Sequence, residues 1–243
     1  MLKKSLVWIL YAIGYECLAL SVHKFIILPD LTLIFSYFIK EAMDLNFYIA
    51  FLTSILRVII GSGSALGMAL LSALLAHKYE WFKQLINPFL ILVKTLPNIS
   101  YILIILIWLS REVSVSVIAL LIVFPASYAQ MISGLDHLSV DQKEVLEVYP
   151  ESGLEVIKKV YIPSLLPFIF EALILSLSLG FKVGIMAEIL GQVQPGLGYL
   201  MYNAKANFDI AELFALSIWM ILWVVFVEKG VRLWKMKYLD DLY

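Results

Sequence analysis

The sequence has little of the chemistry on which many soluble proteins depend. Its 243 residues include one cysteine, Cys17, which excludes an intramolecular disulfide. The three histidines, at positions 23, 77 and 137, lie far apart and lack the spacing of a metal-ligand set. The formal net charge is −1, so no basic excess indicates nucleic-acid binding.

Charged residues are also scarce, at 15% against 62% hydrophobic residues. Runs of mostly apolar residues recur that are long enough to cross ~30 Å of hydrocarbon as helices. In lipid, backbone polar groups must be satisfied within the spanning segment, and continuous rather than alternating apolar runs exclude a barrel. We therefore predict an all-α polytopic membrane protein with a single domain over residues 1–243.

We predict about six transmembrane helices. The third contains Pro88 and Pro97, each of which should kink the helix or mark an entry at the membrane interface. The first could instead be a signal peptide, because Lys3 and Lys4 precede an apolar run. We favour a retained helix, since Glu16 stands where the cleavage region should begin. The predicted spans are residues 5–23, 50–76, 85–109, 114–134, 164–190 and 212–231.

The basic residues of the predicted loops are unevenly distributed. One set of loops, which includes both termini, holds eleven Lys and Arg residues, and the other set holds four. Cytoplasmic loops carry the excess of basic residues. We therefore predict that both termini and the long loop between the fourth and fifth spans lie in the cytoplasm.

That long loop is charged and punctuated by proline. Ser139 and Gln142 fit a capping box, a second box begins at Ser152, and Pro150 marks a turn between them. An ordinary solvated loop would not need caps, so we predict a helix-turn-helix over residues 139–163, the coupling finger. Its tip carries Val148, Tyr149, Pro150 and Leu154.

The coupling finger resembles the cytoplasmic EAA loop of permease subunits in binding-protein-dependent ABC importers. That pattern runs Glu-Ala-Ala, three residues, Gly, nine residues and then Ile-x-Leu-Pro. Counting back from Pro163 puts Glu144 in the Glu position with the spacing intact. Val145, Leu146 and Pro150 depart from the pattern, because they replace the two alanines and the glycine.

Four further segments resemble the nitrate, sulfonate, taurine and thiamine-precursor group of these permeases. The similarity covers about residues 25–235, and Asp30 stands where that group usually has a second proline. The segments are FIILPDLTLIFSYF, TSILRVIIGSGSALGMALL with Arg57, KTLPNISYILIILIWLS with Lys94, and LPFIFEALILSLSLGFKVGIMAEILG with Glu188, the last followed by GLGYLM.

The resemblance implies the transmembrane-domain fold of a type I ABC importer in a prokaryotic cell membrane. It implies a homodimer that works with two ATP-binding subunits and an extracytoplasmic solute-binding protein. ATP and Mg²⁺ would be bound by the ATP-binding subunits, and this chain would hold no cofactor and no catalytic site. The residues expected to contact the ATP-binding subunit are Glu144, Glu147, Val148, Tyr149, Pro150, Glu151, Ser152, Gly153 and Leu154.

The same resemblance leaves the solute open. A sulfonate or taurine-like compound fits the group, and so do a thiamine precursor and nitrate. The outer segment Gly196, Leu197, Gly198 and Tyr199 would be a gate beneath the binding protein, although the residues alone indicate only a turn.

Six ionisable side chains fall within the predicted spans. Each costs ~2.5–3.5 kcal/mol at mid-bilayer, so such groups usually pair or face water. For Lys182 and Glu188 a polar solute path and a structural ion pair stay equally open. For Arg57, and for Lys94 with Glu171, we favour ion pairs. The six are Glu16, Arg57, Lys94, Glu171, Lys182 and Glu188.

A G-x-x-x-G pattern, Gly63 to Gly67, lies in the second span. Small residues at this spacing let helix backbones approach closely, either at a dimer seam or within the chain, and we favour packing within the chain. No Gly-Lys-Ser/Thr follows, so this is not a phosphate-binding loop.

Two other function classes are compatible with part of the pattern. An ion-coupled secondary transporter could carry protons on Glu16, Glu171 and Glu188. An intramembrane enzyme needs a nucleophile-base pair or a metal cluster, and the sequence offers neither. A requirement for ATP would separate an ABC importer from both.

Overall fold

A computed structural model describes residues 2–22, 27–136 and 162–240. These residues are almost entirely helical and include no strand, so the prediction of an all-α chain is confirmed. In chain order the described helices are α1 (Leu2–Val22), α2 (Leu31–Met43), α3 (Leu45–Lys78), α4 (Glu80–Thr95), α5 (Asn98–Trp108), α6 (Arg111–Asp136), α7 (Ile162–Gly191), α8 (Leu197–Ala206) and α9 (Ile210–Asp240).

Four of the described helices, α3, α6, α7 and α9, are long and apolar enough to cross a membrane, with a mean hydropathy of 1.9 to 2.4. A fifth span results if α4 and α5 count as one bent span. The 21 residues of α1 match the length of one crossing. The predicted total of six therefore requires both α1 and the bent pair to span the membrane.

The predicted third span consists of two helices, α4 and α5, and the chain bends by 103° at the break between them. Proline disfavours a helical conformation in the residue before it, and Leu96 is accordingly extended at the break before Pro97. The Leu96 N–H still donates to the Leu92 carbonyl at 3.1 Å and closes the last turn of α4. Pro88 lies inside α4, which continues through it and begins five residues before the predicted start of the span.

Helix α2 was not predicted, because 13 residues are too few for a span. Asp30 supplies its N-cap, with the carboxylate accepting the Leu33 N–H at 2.9 Å. The Glu16 carboxylate accepts the Leu31 N–H at 3.0 Å, which places this predicted intramembrane charge beside the start of α2. The aspartate that replaces the usual second proline therefore starts a helix.

Helix α2 packs against the first half of α9. The rings of Phe38 and Trp219 stack with centroids 4.4 Å apart. A hydrogen bond from Tyr37 to Asp209, at the turn before α9, raises the pKa of Tyr37 to about 12. Burial raises the pKa of Glu41, which lies on the same helix. These contacts fix α2 across one end of the helix bundle.

Helices α3, α6 and α7 form the packed centre. Small side chains on α3 recur at helical spacing and are buried: Ala65, Ala69, Ala73 and Ala76. Buried serines join the three helices, since Ser62 donates to the Ser176 carbonyl at 3.1 Å and the Ser127 and Ser176 hydroxyls lie 2.9 Å apart. Small residues and interhelical hydrogen bonds of this kind hold membrane helices together.

The glycines of α3 divide into two groups. A Cβ at Gly61 would overlap the Ser116 carbonyl oxygen of α6, so this glycine permits close packing. A Cβ at Gly63 or Gly67 would meet no atom within 4 Å. The interpretation that the G-x-x-x-G pattern packs within the chain is therefore wrong for Gly63 and Gly67 and applies instead to Gly61.

Candidate functional site

The first group of candidate functional residues is an ion-pair cluster near the C-terminal end of α7. The Arg57 Nη1 atom on α3 lies 2.9 Å from the Glu188 Oε1 atom, and the two side chains are 8% and 0% exposed. The Ser54 hydroxyl and the Gly198 N–H donate to Oε2 of the same carboxylate at 2.7 and 3.0 Å. Glu188 thus accepts three hydrogen bonds, two from α3 and one from the start of α8.

The ion-pair cluster also holds the loop between α7 and α8. Arg57 donates a second hydrogen bond to the Pro195 carbonyl at 2.7 Å, and the Leu197 N–H donates to the Ser54 hydroxyl at 2.8 Å. The backbone of this loop lies directly on the carboxylate. A Cβ at Gly196 would lie 2.8 Å from the Glu188 carboxyl carbon and 2.7 Å from the Val193 carbonyl oxygen, so a larger residue would have to displace one of them.

These contacts favour a structural role for Arg57 and Glu188. A buried ion pair whose remaining hydrogen-bonding capacity is also satisfied orders its surroundings, and removal of one partner leaves an uncompensated buried charge. Three of the four predicted gate residues contact this cluster: Gly196 lies in the loop, and Leu197 and Gly198 are the first two residues of α8. The fourth, Tyr199, stacks on Tyr202 with centroids 6.5 Å apart.

The second group lines a polar hollow of about 380 Å³ between α6, α7 and α9. Lys182 is exposed on the α7 wall, and the Ser178 hydroxyl of the same helix donates to the Glu228 carboxylate of α9 at 2.7 Å. The polar lining consists of Gln130, Glu171, Ser178, Lys182 and Glu228. Lys182 and Glu188 therefore do not share one lining, although they are six residues apart.

Glu171 sits at the edge of the polar hollow and pairs with Lys235 of α9 at 2.6 Å. Both side chains are partly exposed. Lys94 lies elsewhere, in a hollow between α4 and α6. The predicted pairing of Lys94 with Glu171 is therefore wrong, because α4 packs beside α6 and the wall of the polar hollow is completed by α9.

The polar hollow combines ionisable and neutral hydrogen-bonding groups. Ionised side chains are costly against lipid, so Lys182 and Glu228 require water, a solute or another protein surface in front of them. Together they offer one cation and one anion, with Gln130 as a neutral hydrogen-bonding group. Among the described residues no group of three or more His, Cys, Asp or Glu could hold a metal ion.

Sequence reasoning missed Gln130, Ser178, Glu228 and Lys235. A signal existed for Glu228, which lies inside the predicted sixth span, and for Gln130 inside the fourth. Lys235 gave none, because hydropathy ended that span at residue 231 whereas α9 continues to Asp240. The nine residues predicted to contact the ATP-binding subunit, Glu144 to Leu154, lie outside the described residues.

Comparison with known proteins identifies the family. A profile of the family described as binding-protein-dependent transport system inner membrane component matches residues 65–228, more than half of the chain. The chain belongs to this family. The match in this permease includes Lys94, Glu171, Lys182, Glu188 and Glu228, whereas Arg57 and Lys235 lie outside it.

Individual relatives are more distant. The permease is 27% identical over 164 residues to the "Putative aliphatic sulfonates transport permease protein SsuC" of Bacillus subtilis, covering 67% of this chain and 59% of that protein. A Haemophilus influenzae ABC transporter permease protein is 24% identical, covering 67% and 66%. One from Methanocaldococcus jannaschii is 24% identical over 234 residues, covering 94% and 86%. The matches thus span less than two thirds of the first two relatives.

Proposed function

We propose that this chain is the membrane-spanning subunit of an ABC importer and forms the translocation path for a small solute. It works as a homodimer with two ATP-binding subunits, which bind ATP and Mg²⁺, and with an extracytoplasmic solute-binding protein. Both termini lie in the cytoplasm. The family match and the multi-pass helices support this proposal.

The polar hollow is the observation that carries the proposal. Lys182 lies nine residues before the end of α7 at Gly191, about 14 Å along the helix, which places it well inside the membrane. A cation held at that depth beside Glu228 and Gln130 is costly unless something polar occupies the hollow. A translocated solute and its water supply that polar environment.

The solute we propose is a small organic anion of the sulfonate or taurine type. Two observations support it: the name of the Bacillus subtilis relative and the exposed Lys182 on the wall of the polar hollow. Because Glu228 balances the charge of Lys182, the hollow suits a solute with both a sulfonate and a cationic or polar group.

The proposed cycle is alternating access, with the coupling finger as the mechanical joint. ATP would close the ATP-binding subunits, and the tip residues would transmit that closure to α6 and α7, the helices that flank residues 137–161. An apolar tip on the aqueous side fits the helix-in-groove mode of recognition.

The experiment is uptake by the purified four-subunit complex in liposomes with internal ATP and the binding protein. Tyr149→Asp would place a charge in the partner groove, so we expect normal membrane insertion with loss of co-purified ATP-binding subunits or of solute-stimulated hydrolysis. Lys205→Gln, in the outer helix α8, is the matched control. Uptake driven by a proton gradient without ATP would contradict the proposal, as would a Tyr149→Asp complex that keeps both properties.

A further inference from the structure

The second hollow, about 410 Å³ between α4 and α6, is unlike the polar hollow in charge. Lys83, Asn87 and Lys94 are all exposed on its α4 wall. Lys83 and Lys94 are eleven residues apart and therefore lie about 20° from one another around the helix. The α6 wall adds the Tyr128 hydroxyl, the Ser133 hydroxyl and the carboxylate of Asp136. We call these six residues the basic hollow; it contains two cations and one anion.

Helix α4 has a second exposed flank that is wholly apolar. Its packed side carries Phe82, Ile86 and Leu90, which join the core of α3, α6 and α7. On the side of that strip away from the two lysines lies a stripe of exposed apolar residues: Trp81, Leu85, Phe89, Leu92 and Leu96. A basic flank beside an apolar flank that contains Trp and Leu suits a helix that begins at the membrane interface and enters the lipid.

The depth of the basic hollow fits that position. Its α6 residues, Tyr128 to Asp136, occupy the last nine positions of α6, so the hollow is within about 12 Å of the end of that helix. This is the level of lipid headgroups and the first acyl carbons. Under the proposed function this end faces the cytoplasm, where the leaflet carries anionic lipids.

We propose that the basic hollow binds the phosphate of an anionic glycerophospholipid from the cytoplasmic leaflet. Lys83 and Lys94 hold the phosphate, Asn87 and Tyr128 donate hydrogen bonds to its oxygens, and the acyl chains lie along the apolar flank of α4. Basic pockets between membrane helices on this side bind such headgroups. The proposal rests on the proposed function only for the side of the membrane.

Two features distinguish this site from the solute path. The polar hollow is closed by α7 and α9, whereas the basic hollow is walled by α4 and α6. Gln130 of α6 faces the former and Ala129 the latter, so the two hollows lie on different sides of α6. The exposed apolar flank of α4 adjoins the basic hollow and can contact acyl chains, whereas a soluble anion would gain nothing from it.

The test is native mass spectrometry of the full complex released from nanodiscs that contain equal phosphatidylglycerol and phosphatidylcholine. We expect the wild-type complex to retain phosphatidylglycerol preferentially. In Lys83→Gln/Lys94→Gln this preference should fall by about fivefold for each lysine. The control Lys229→Gln/Lys237→Gln removes two exposed cations from the C-terminal part of α9 and should leave the preference for phosphatidylglycerol unchanged.

Asp136→Asn gives an independent check, because removal of the one carboxylate among the described residues of the basic hollow should strengthen retention of phosphatidylglycerol. If Lys83→Gln/Lys94→Gln and the control Lys229→Gln/Lys237→Gln lose the preference for phosphatidylglycerol equally, the proposal is overturned. That result would show a general attraction of the lipid to surface cations. Displacement of the lipid by excess inorganic phosphate would overturn it too, because the site would then accept a soluble anion. Neither result depends on transport, so the proposed function is tested separately.

Discussion

The ion-pair cluster and the polar hollow are both built on α7, yet they treat charge in opposite ways. Glu188 is fully buried and accepts hydrogen bonds from Ser54, Arg57 and Gly198. Lys182, six residues earlier, is exposed at the wall of a hollow. An ionisable residue in a membrane span therefore does not by itself mark a solute path. What distinguishes the two is whether the protein already satisfies the charge.

The two regions should also differ in what a mutation removes. In the ion-pair cluster each polar group is held by another, so any deletion leaves a buried partner without its hydrogen bond or charge. In the polar hollow the groups face an opening, where water can replace a missing side chain. Substitutions in the cluster should therefore lower stability, and substitutions in the hollow should lower transport.

The largest effect is expected for Arg57→Met. Because it leaves the Glu188 carboxylate buried without its cation, we expect the free energy of unfolding to fall by ~3–5 kcal/mol. Unfolding of the purified permease in mixed micelles would measure this. Arg57→Met/Glu188→Met should recover part of the loss, since the double variant leaves no buried charge. A double variant as unstable as the sum of the singles would show that the two residues are not coupled.

A smaller loss is expected for Gly198→Ala. The new Cβ would lie 2.5 Å from the Glu188 Cβ and 2.6 Å from the Ile185 carbonyl oxygen, so the first turn of α8 must shift. We expect a cost of ~1–3 kcal/mol by the same unfolding measurement. Gly230→Ala, where no atom lies within 4 Å, is the control and should not destabilise. Equal destabilisation by Gly198→Ala and Gly230→Ala would mean that the start of α8 does not depend on its contact with the ion-pair cluster.

Lys182→Met should distinguish the polar hollow from the ion-pair cluster most clearly. Its side chain faces the polar hollow, so we expect less than about 1 kcal/mol of change in stability, as for a surface substitution. Solute-stimulated uptake should fall strongly while assembly and basal ATPase activity persist. Uptake and unfolding would be measured on the same preparation, with Lys205→Met as the control. Loss of folded protein would instead indicate that Lys182, like Arg57, has a structural role.

The smallest effect is expected for Lys235→Gln. The pair that Lys235 makes with Glu171 is short, at 2.6 Å, but both side chains are partly exposed. Pairs in such surroundings contribute ~0–1 kcal/mol. We expect unfolding close to that of the wild type, with a difference that shrinks as salt is added. A loss as large as that of Arg57→Met would show that the edge of the polar hollow is as dry as the ion-pair cluster.

Much of the fold could be predicted because apolar runs report directly on α3, α6, α7 and α9. Which ionisable side chains pair with one another could not be predicted in the same way. Lys94 and Glu171 lie at similar depth, but depth along the sequence does not say which helices touch, and Glu171 meets Lys235 instead. Hydropathy did not predict helix α2, because it was used to find membrane spans and 13 residues cannot span a bilayer. The chemistry of Glu188 was visible in sequence, but its burial was not.

The Arg57–Glu188 contact has a further consequence for how the chain is made. The two residues are 131 positions apart, and the Leu197 N–H that completes the cluster is 143 positions from Ser54. At a synthesis rate of about 5–20 residues per second, Arg57 enters the membrane on the order of ten seconds before its carboxylate partner exists. During that interval α3 must hold its arginine near an aqueous edge or a transient partner. If translation stalls before the end of α7, α3 is therefore left with an arginine that lacks its native carboxylate partner.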